Sequence, residues 1–268
     1  MSENLIELVD VKHVFEARGA ASGTTALENI SFSVKPREFV ALVGPSGCGK
    51  STILNLIAGL ATPSFGTVAY GGVPVDGINS RVGYMTQKDT LLPWRTTRDN
   101  VGLAFELSSR RALRRDKALV EGKVREQIRL VGLEGFENHF PAQLSGGMRK
   151  RALLARTLIY EPETLLMDEP FGALDAQLKL VMQDELLRIW AATRNTVIFV
   201  THDLGEAIAL ADRVLIFSGR PGRIKAVQEI DLPRPRDVFS IRFTPRYAEL
   251  YENLWALLQG EVIKSDNV

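Results

Sequence analysis

The 268-residue chain is poor in the features that mark secreted, fibrous or membrane-embedded proteins. Its one cysteine, Cys48, has no second cysteine to bridge to, so no internal disulfide forms and a reducing compartment is expected. No run reaches the roughly 18 apolar residues that a bilayer-crossing helix needs. The opening stretch, Met1 to Glu7, lacks the basic and then apolar order of a signal peptide. A formal charge of +1 gives no overall attraction to nucleic acid, although a local basic patch remains compatible with it. The three histidines show no metal-ligand spacing, and there are no repeats, low-complexity tracts or sustained heptads. The expectation is a soluble cytoplasmic protein that acts at a membrane only through a partner. What is present suits that: 45% hydrophobic and 24% charged residues, in a chain long enough for one large domain or a core with an insertion.

Short apolar runs organise the chain. Leu5 to Phe15 and Ile30 to Val34 read as strands, with a small-residue loop from Arg18 to Thr24 between them. Phe39 to Val43 ends in a glycine-rich loop, and Ser51 opens a helix with apolar positions at Ile53, Leu54, Leu56, Ile57 and Leu60, ending near Gly59. Thr164 to Met167 and Val197 to Val200 are uninterrupted apolar runs followed at once by polar residues, the pattern of parallel strands covered on both faces. Ligands of open α/β sheets bind beyond the carboxyl ends of such strands. The three runs deliver Lys50, Asp168-Glu169 and His202 to that edge.

Between Gln87 and Thr164 helical spacing takes over, over Asp99 to Leu107 and Leu113 to Val131, closed by a helix from Ser145 to Tyr160. The basic cluster Arg110, Arg111, Arg114 and Arg115 reads as a solvated helix face or as a contact for anionic headgroups. After Ile216 the chain turns at Gly219-Arg220-Pro221-Gly222 and runs extended through Leu232 to Arg236. Thr244-Pro245 then caps a last helix whose stripe (Tyr247, Leu250, Tyr251, Leu254, Leu257, Leu258) is core packing or a partner groove.

Gly44-Pro45-Ser46-Gly47-Cys48-Gly49-Lys50-Ser51 fits the phosphate-binding loop pattern. Its glycines let backbone N–H groups approach phosphate oxygens, and the following helix adds its positive end. Lys50 is expected on the outer phosphates and the Ser51 hydroxyl on Mg²⁺. Asp168, at a strand end, suits the Mg²⁺ shell, and Glu169 suits polarising an attacking water, although an acidic pair also occurs at helix caps. Ser145-Gly146-Gly147 opens a helix, either as a well-capped start or as a second anion site. Two phosphate-binding edges on one chain are both satisfied if two copies sandwich two ATP molecules head to tail. Cys48 is expected as a small loop residue whose modification blocks the site.

This ordered set, with Leu144 before Ser145 and with Gln87, Asp175 and His202, resembles the ATPase subunits of ATP-binding cassette (ABC) transporters over about residues 5 to 220. The resemblance implies an α/β fold: a P-loop ATPase core with a mixed sheet, an antiparallel β subdomain and an inserted α-helical subdomain. It places the core at 1–88 and 162–225, the helical subdomain at 89–161, and a C-terminal extension at 226–268. ATP and Mg²⁺ are the implied cofactors. Lys50, Gln87, Glu169 and His202 are the implied catalytic set, and Ser51, Gln87 and Asp168 the implied metal set. The nucleotide would be held by the loop from Gly44 through Thr52, by Phe15 stacking on adenine (a core aromatic is the alternative), and by Ser145, Gly146, Gly147 and Asp175 across the seam. The signature departs from its usual pattern at Met148, where glutamine is common, so no polar role passes to it.

Leu91-Leu92-Pro93-Trp94-Arg95 is similar to the ATPase subunits of nitrate, sulfonate and taurine importers. There this region receives a membrane permease's coupling helix; Trp94 as ordinary core filling is the alternative. The implied partners are a second copy of the chain, an integral membrane permease and, indirectly, a periplasmic or surface solute-binding protein. The implied location is the inner face of the cell membrane. A soluble ABC-type ATPase acting on nucleic acid or ribosomes is the competing reading, and a P-loop kinase a weaker one because of the Leu144–Gly147 stretch.

Overall fold

The computed structural model describes residues 3–16, 23–106, 116–172 and 174–265. The basic cluster at 110–115, most of the first small-residue loop and Ala173 lie outside the described residues. Among the described residues, ten strands form two sheets. The smaller is antiparallel, with order β2-β1-β4-β5: β1 Ile6–Phe15, β2 Thr24–Val34, β4 Phe65–Tyr70 and β5 Val73–Pro74. The larger has order β10-β9-β3-β8-β7-β6: β3 Phe39–Val43, β6 Val82–Met85, β7 Thr164–Asp168, β8 Thr196–Thr201, β9 Arg213–Phe217 and β10 Ile224–Glu229. Its central strands run parallel, and β10 joins antiparallel to β9, so the sheet is mixed.

Both faces of the large sheet are covered, which is why its strands read as unbroken apolar runs. Phe39, Ala41, Val43, Met167 and Phe199 enter one core. Their neighbours Val40, Leu42, Leu166, Ile198 and Val200 enter the other, the two-residue period of a strand. The second core is closed by α1 (Lys50–Ile57) and by the antiparallel sheet, through Ile53, Leu54, Leu8 and Val68. The first is closed by five helices: α3 (Lys117–Leu130), α4 (Gly146–Leu158), α5 (Ala176–Thr193), α6 (Leu204–Leu210) and α7 (Pro245–Ser265). Tyr247, Leu250, Leu254 and Leu258 of α7 are buried there, so its stripe is core packing.

Two local expectations need correction, and one alternative is excluded. The helix expected over Asp99 to Leu107 is a short turn, α2 (Thr97–Val101), tightening into a 3₁₀ segment over Gly102–Glu106. Gly102 is the C-cap at which regular winding ends, and Phe105 of the 3₁₀ segment is buried. Leu60 does not belong to the buried face of α1: the helix stops at Ile57, Gly59 takes φ 68°, and Leu60 is exposed. Trp94, 71% exposed, is not core filling.

Candidate active site

The carboxyl ends of β3, β7 and β8 lie side by side, because β3 pairs with β8 and β8 with β7, all parallel. The residues that follow these ends meet. Ser51 Oγ donates to Asp168 Oδ1 at 3.0 Å. Glu169 Oε2 accepts from Gln87 Nε2 at 3.0 Å and lies 3.3 Å from His202 Nδ1. Four chain segments between Ser51 and His202 therefore meet at one carboxylate pair.

Backbone conformation aims these groups. Glu169 sits at φ 44°, left-handed and unusual for a side chain of its size, and its N–H donates to Val200 O at 3.0 Å. That bond pins the turn leaving β7 against β8, so the strain is held in place by the sheet. Gly49 (φ 98°) begins α1 with no side-chain cap. A Cβ there would stand 2.5 Å from Leu27 Cδ2, so β2 packing as well as phosphate access requires glycine. Lys50, buried, donates to Gly44 O at 2.7 Å and Pro45 O at 2.8 Å, two of its three ammonium donors.

A cavity of about 340 Å³ runs over the loop. Phe15, Ser46, Lys50, Thr52, Gln87 and Glu169 line it. Phe15 is 52% exposed at the rim, edge-on to His13, so it is not a core aromatic. The larger hollow beside Arg37 and Asn195, at the opposite end of the sheet, has no glycine loop or helix start. Burial pushes the Asp168 carboxyl above its usual range; the Ser51 hydroxyl opposes this, Glu169 reinforces it, and Lys50 opposes it. Ser51 and Asp168 offer hard oxygens 3.0 Å apart, which suits Mg²⁺, an ion that completes its shell with water and phosphate. Among the described residues no group of three or more His, Cys, Asp or Glu forms a cage of its own.

Cys48 is fully buried and burial raises its thiol pKa, with Lys50 opposing. The thiol is thus shielded from solvent.

Ser145, Gly146, Gly147 and Asp175 are not among the residues lining this cavity. Ser145 Oγ accepts from Met148 N at 3.3 Å and caps α4, and Asp175 Oδ1 accepts from Leu178 N at 2.9 Å and caps α5. Met148 packs partly buried against the core.

Two residues escaped the sequence reading. Lys150 is buried, its ammonium donating to Gln87 O at 3.0 Å, and burial lowers its pKa. With Arg149 on Asp89 it ties the start of α4 to the segment bearing Gln87. Arg220 also lines the cavity, from the turn after β9. Its signal in the sequence is an arginine in a glycine- and proline-containing turn after an apolar run, but no local pattern places β9 beside β3.

A glycine loop on a buried strand, an acid pair on a parallel strand one place beyond its neighbour and a mixed sheet define a P-loop ATPase. The ABC transporter family profile matches residues 27–172, and the chain belongs to that family. It is the ATP-binding, ATP-hydrolysing subunit of such a transporter. An uncharacterised ABC transporter ATP-binding protein of Methanocaldococcus jannaschii is 44% identical over 260 residues, 97% of this chain and 93% of that protein. The taurine import ATP-binding protein of Rhizobium johnstonii is 43% identical over 257 residues, 94% and 96%. An aliphatic sulfonates import ATP-binding protein of Bacillus cereus is 41% identical over 236 residues, 88% and 91%. Among solved structures, the dimeric post-hydrolysis state of an ATP-binding cassette bound to ADP and Pi superposes with TM-score 0.70 at 27% identity, covering 85% of this chain and all of that one. None of these findings supports the nucleic-acid reading.

Proposed function

We propose that this chain powers import of a small sulfonate-like or taurine-like solute through a separate membrane permease, working as a head-to-tail dimer on the inner face of the membrane. The observation that carries the reading is the convergence of Ser51, Asp168, Glu169, Gln87 and His202 at one sheet edge. The import names of relatives at 41–43% identity supply the direction and the solute class. Among the described residues no helix is long and apolar enough to cross a membrane, so the pore belongs to another chain.

In this reading Gly44 to Thr52 cradle the phosphates with backbone N–H groups, and Lys50 turns its ammonium from loop carbonyls to the outer phosphates. Ser51 and Asp168, with Gln87, hold Mg²⁺, which neutralises charge on the phosphates when bound. Glu169 accepts a proton from the attacking water. Gln87 and His202, both on Glu169 Oε2, orient that carboxylate and report the terminal phosphate. Phe15 stacks on adenine. The partner's Leu144–Gly147 stretch and Asp175 region close over the phosphates from the other side.

The division of labour is core at 1–88 and 162–225, helical subdomain at 89–161, and extension at 226–268. Exposed Trp94 beside Arg95, which is paired to Glu106, anchors the permease's coupling helix. The test is reconstitution with the membrane subunit that co-purifies with this chain. ATPase activity stimulated by a solute-loaded binding protein, with taurine or an alkyl sulfonate as solute, supports the reading. Stimulation by nucleic acid, with no membrane partner, overturns it.

A further inference from the structure

The turn after β9 forms a third wall of the nucleotide pocket, and it is tied to the C-terminal helix. β9 lies parallel beside β3, so the end of β9 reaches the same edge as the glycine loop. The turn is drawn hard against that loop. Gly222 N donates to Ala26 O at 2.9 Å, and Gly222 O accepts from Glu28 N at 3.0 Å. A Cβ at Gly222 would lie 1.9 Å from the Cys48 carbonyl oxygen, so only glycine permits this approach.

The approach delivers Arg220. Its Nε and Nη2 donate to Gly47 O at 3.3 and 3.2 Å, and the side chain lines the cavity. A guanidinium carries five N–H donors, and this one has no carboxylate partner among the described residues. An exposed cation with unused donors beside a phosphate-binding loop is matched to an anion, and arginine's fork suits phosphate oxygens. The turn is held from behind by the last helix. Glu261 Oε2 accepts from Gly219 N at 3.0 Å, while its Oε1 pairs with Lys225 Nζ at 3.1 Å. Lys225 also donates to Leu257 O at 2.8 Å.

We propose that Arg220 is a phosphate ligand of the bound nucleotide and that Glu261, through Gly219, is its positioning residue. This gives the C-terminal helix a role in setting nucleotide affinity. The proposal rests on the ATP-binding reading of the cavity.

The experiment is calorimetric titration of the full chain with ATP and with ADP, for wild type, Arg220→Gln, Arg220→Lys and Glu261→Gln. Gln keeps donors for Gly47 O without charge, whereas Lys keeps charge without the fork. A phosphate contact predicts about tenfold weaker ATP binding for Arg220→Gln, the usual size of a lost charge-assisted bond, and about threefold for Arg220→Lys. Glu261→Gln is expected about threefold weaker, with no further loss when combined with Arg220→Gln. Thermal midpoints are measured alongside, and a variant that does not fold is replaced by the other Arg220 substitution. Unchanged affinity in Arg220→Gln, or the reverse order of Gln and Lys, overturns the proposal. Wild-type protein that binds no ATP would instead overturn the function on which it rests.

Discussion

Two glycine-rich helix starts, one at the glycine loop and one at Ser145, occupy the same chain and differ in almost everything around them. The first begins α1 with a left-handed Gly49 and no side-chain cap, and it sits beside Asp168, Glu169 and His202. The second begins α4 with Ser145 as a conventional cap, and its neighbours Arg149 and Lys150 are cations turned toward Leu144 O, Asp89 and Gln87 O. One start thus lies beside the carboxylates that the proposed function assigns to metal and water; the other has a hydroxyl and amides beside two cations. Under the proposed function, a helix start whose nearby acid, Asp89, is already paired to Arg149 would draw its metal- and water-handling acids from another subunit.

The largest expected effect separates the two starts by their chemistry. Glu169→Gln is expected to cut ATP turnover by about 10²- to 10⁴-fold while ATP binding persists, measured by phosphate release and by titration. Undiminished turnover removes Glu169 from the proton-accepting role.

Next is Ser145→Asp, which sharpens the contrast between cap and anion site. Aspartate caps helices as well as serine, so stability should stay within about 0.5 kcal/mol. Its charge opposes triphosphate, so ATP-dependent dimerisation in the Glu169→Gln background should fall by at least about tenfold in sedimentation experiments. Normal dimerisation would reduce Ser145 to a cap.

Lys150→Met tests the bond between the second start and Gln87. It leaves Gln87 O without its donor, at a stability cost of about 1–3 kcal/mol by chemical denaturation. Basal ATPase activity should change less than solute-stimulated activity.

The smallest effect is Asp168→Asn. Because burial raises the folded pKa of Asp168, the folded state is penalised fully above that pKa, and the penalty fades as pH falls through it toward the unfolded value. Asp168→Asn should therefore raise the thermal midpoint at neutral pH by less than about 1 kcal/mol equivalent, with the gain shrinking on acidification. A gain that grows on acidification contradicts the assignment.

Much of this was legible because buried parallel strands announce themselves. Phe39–Val43, Thr164–Asp168 and Thr196–Thr201 are covered on both faces, and each ends at or just before a candidate site residue. The short edge strands β5 and β6 carry little such signal, and β10, half-exposed with alternating burial, resembles a polar loop. Arg220 and Lys150 were opaque for another reason. Their importance comes from which strand lies beside which, and from a carbonyl 63 residues away, neither of which local pattern encodes.

The most direct measurement of the shared-site claim is complementation. A Lys50→Ala chain has a damaged glycine loop and an intact Ser145, while a Ser145→Asp chain has the reverse. If each site is built from two chains, equal mixing regenerates one intact site in half of the dimers, so activity should rise to about a quarter of wild type from two inactive parents. A mixture no more active than the sum of its parents would show that Lys50 and Ser145 never serve the same nucleotide.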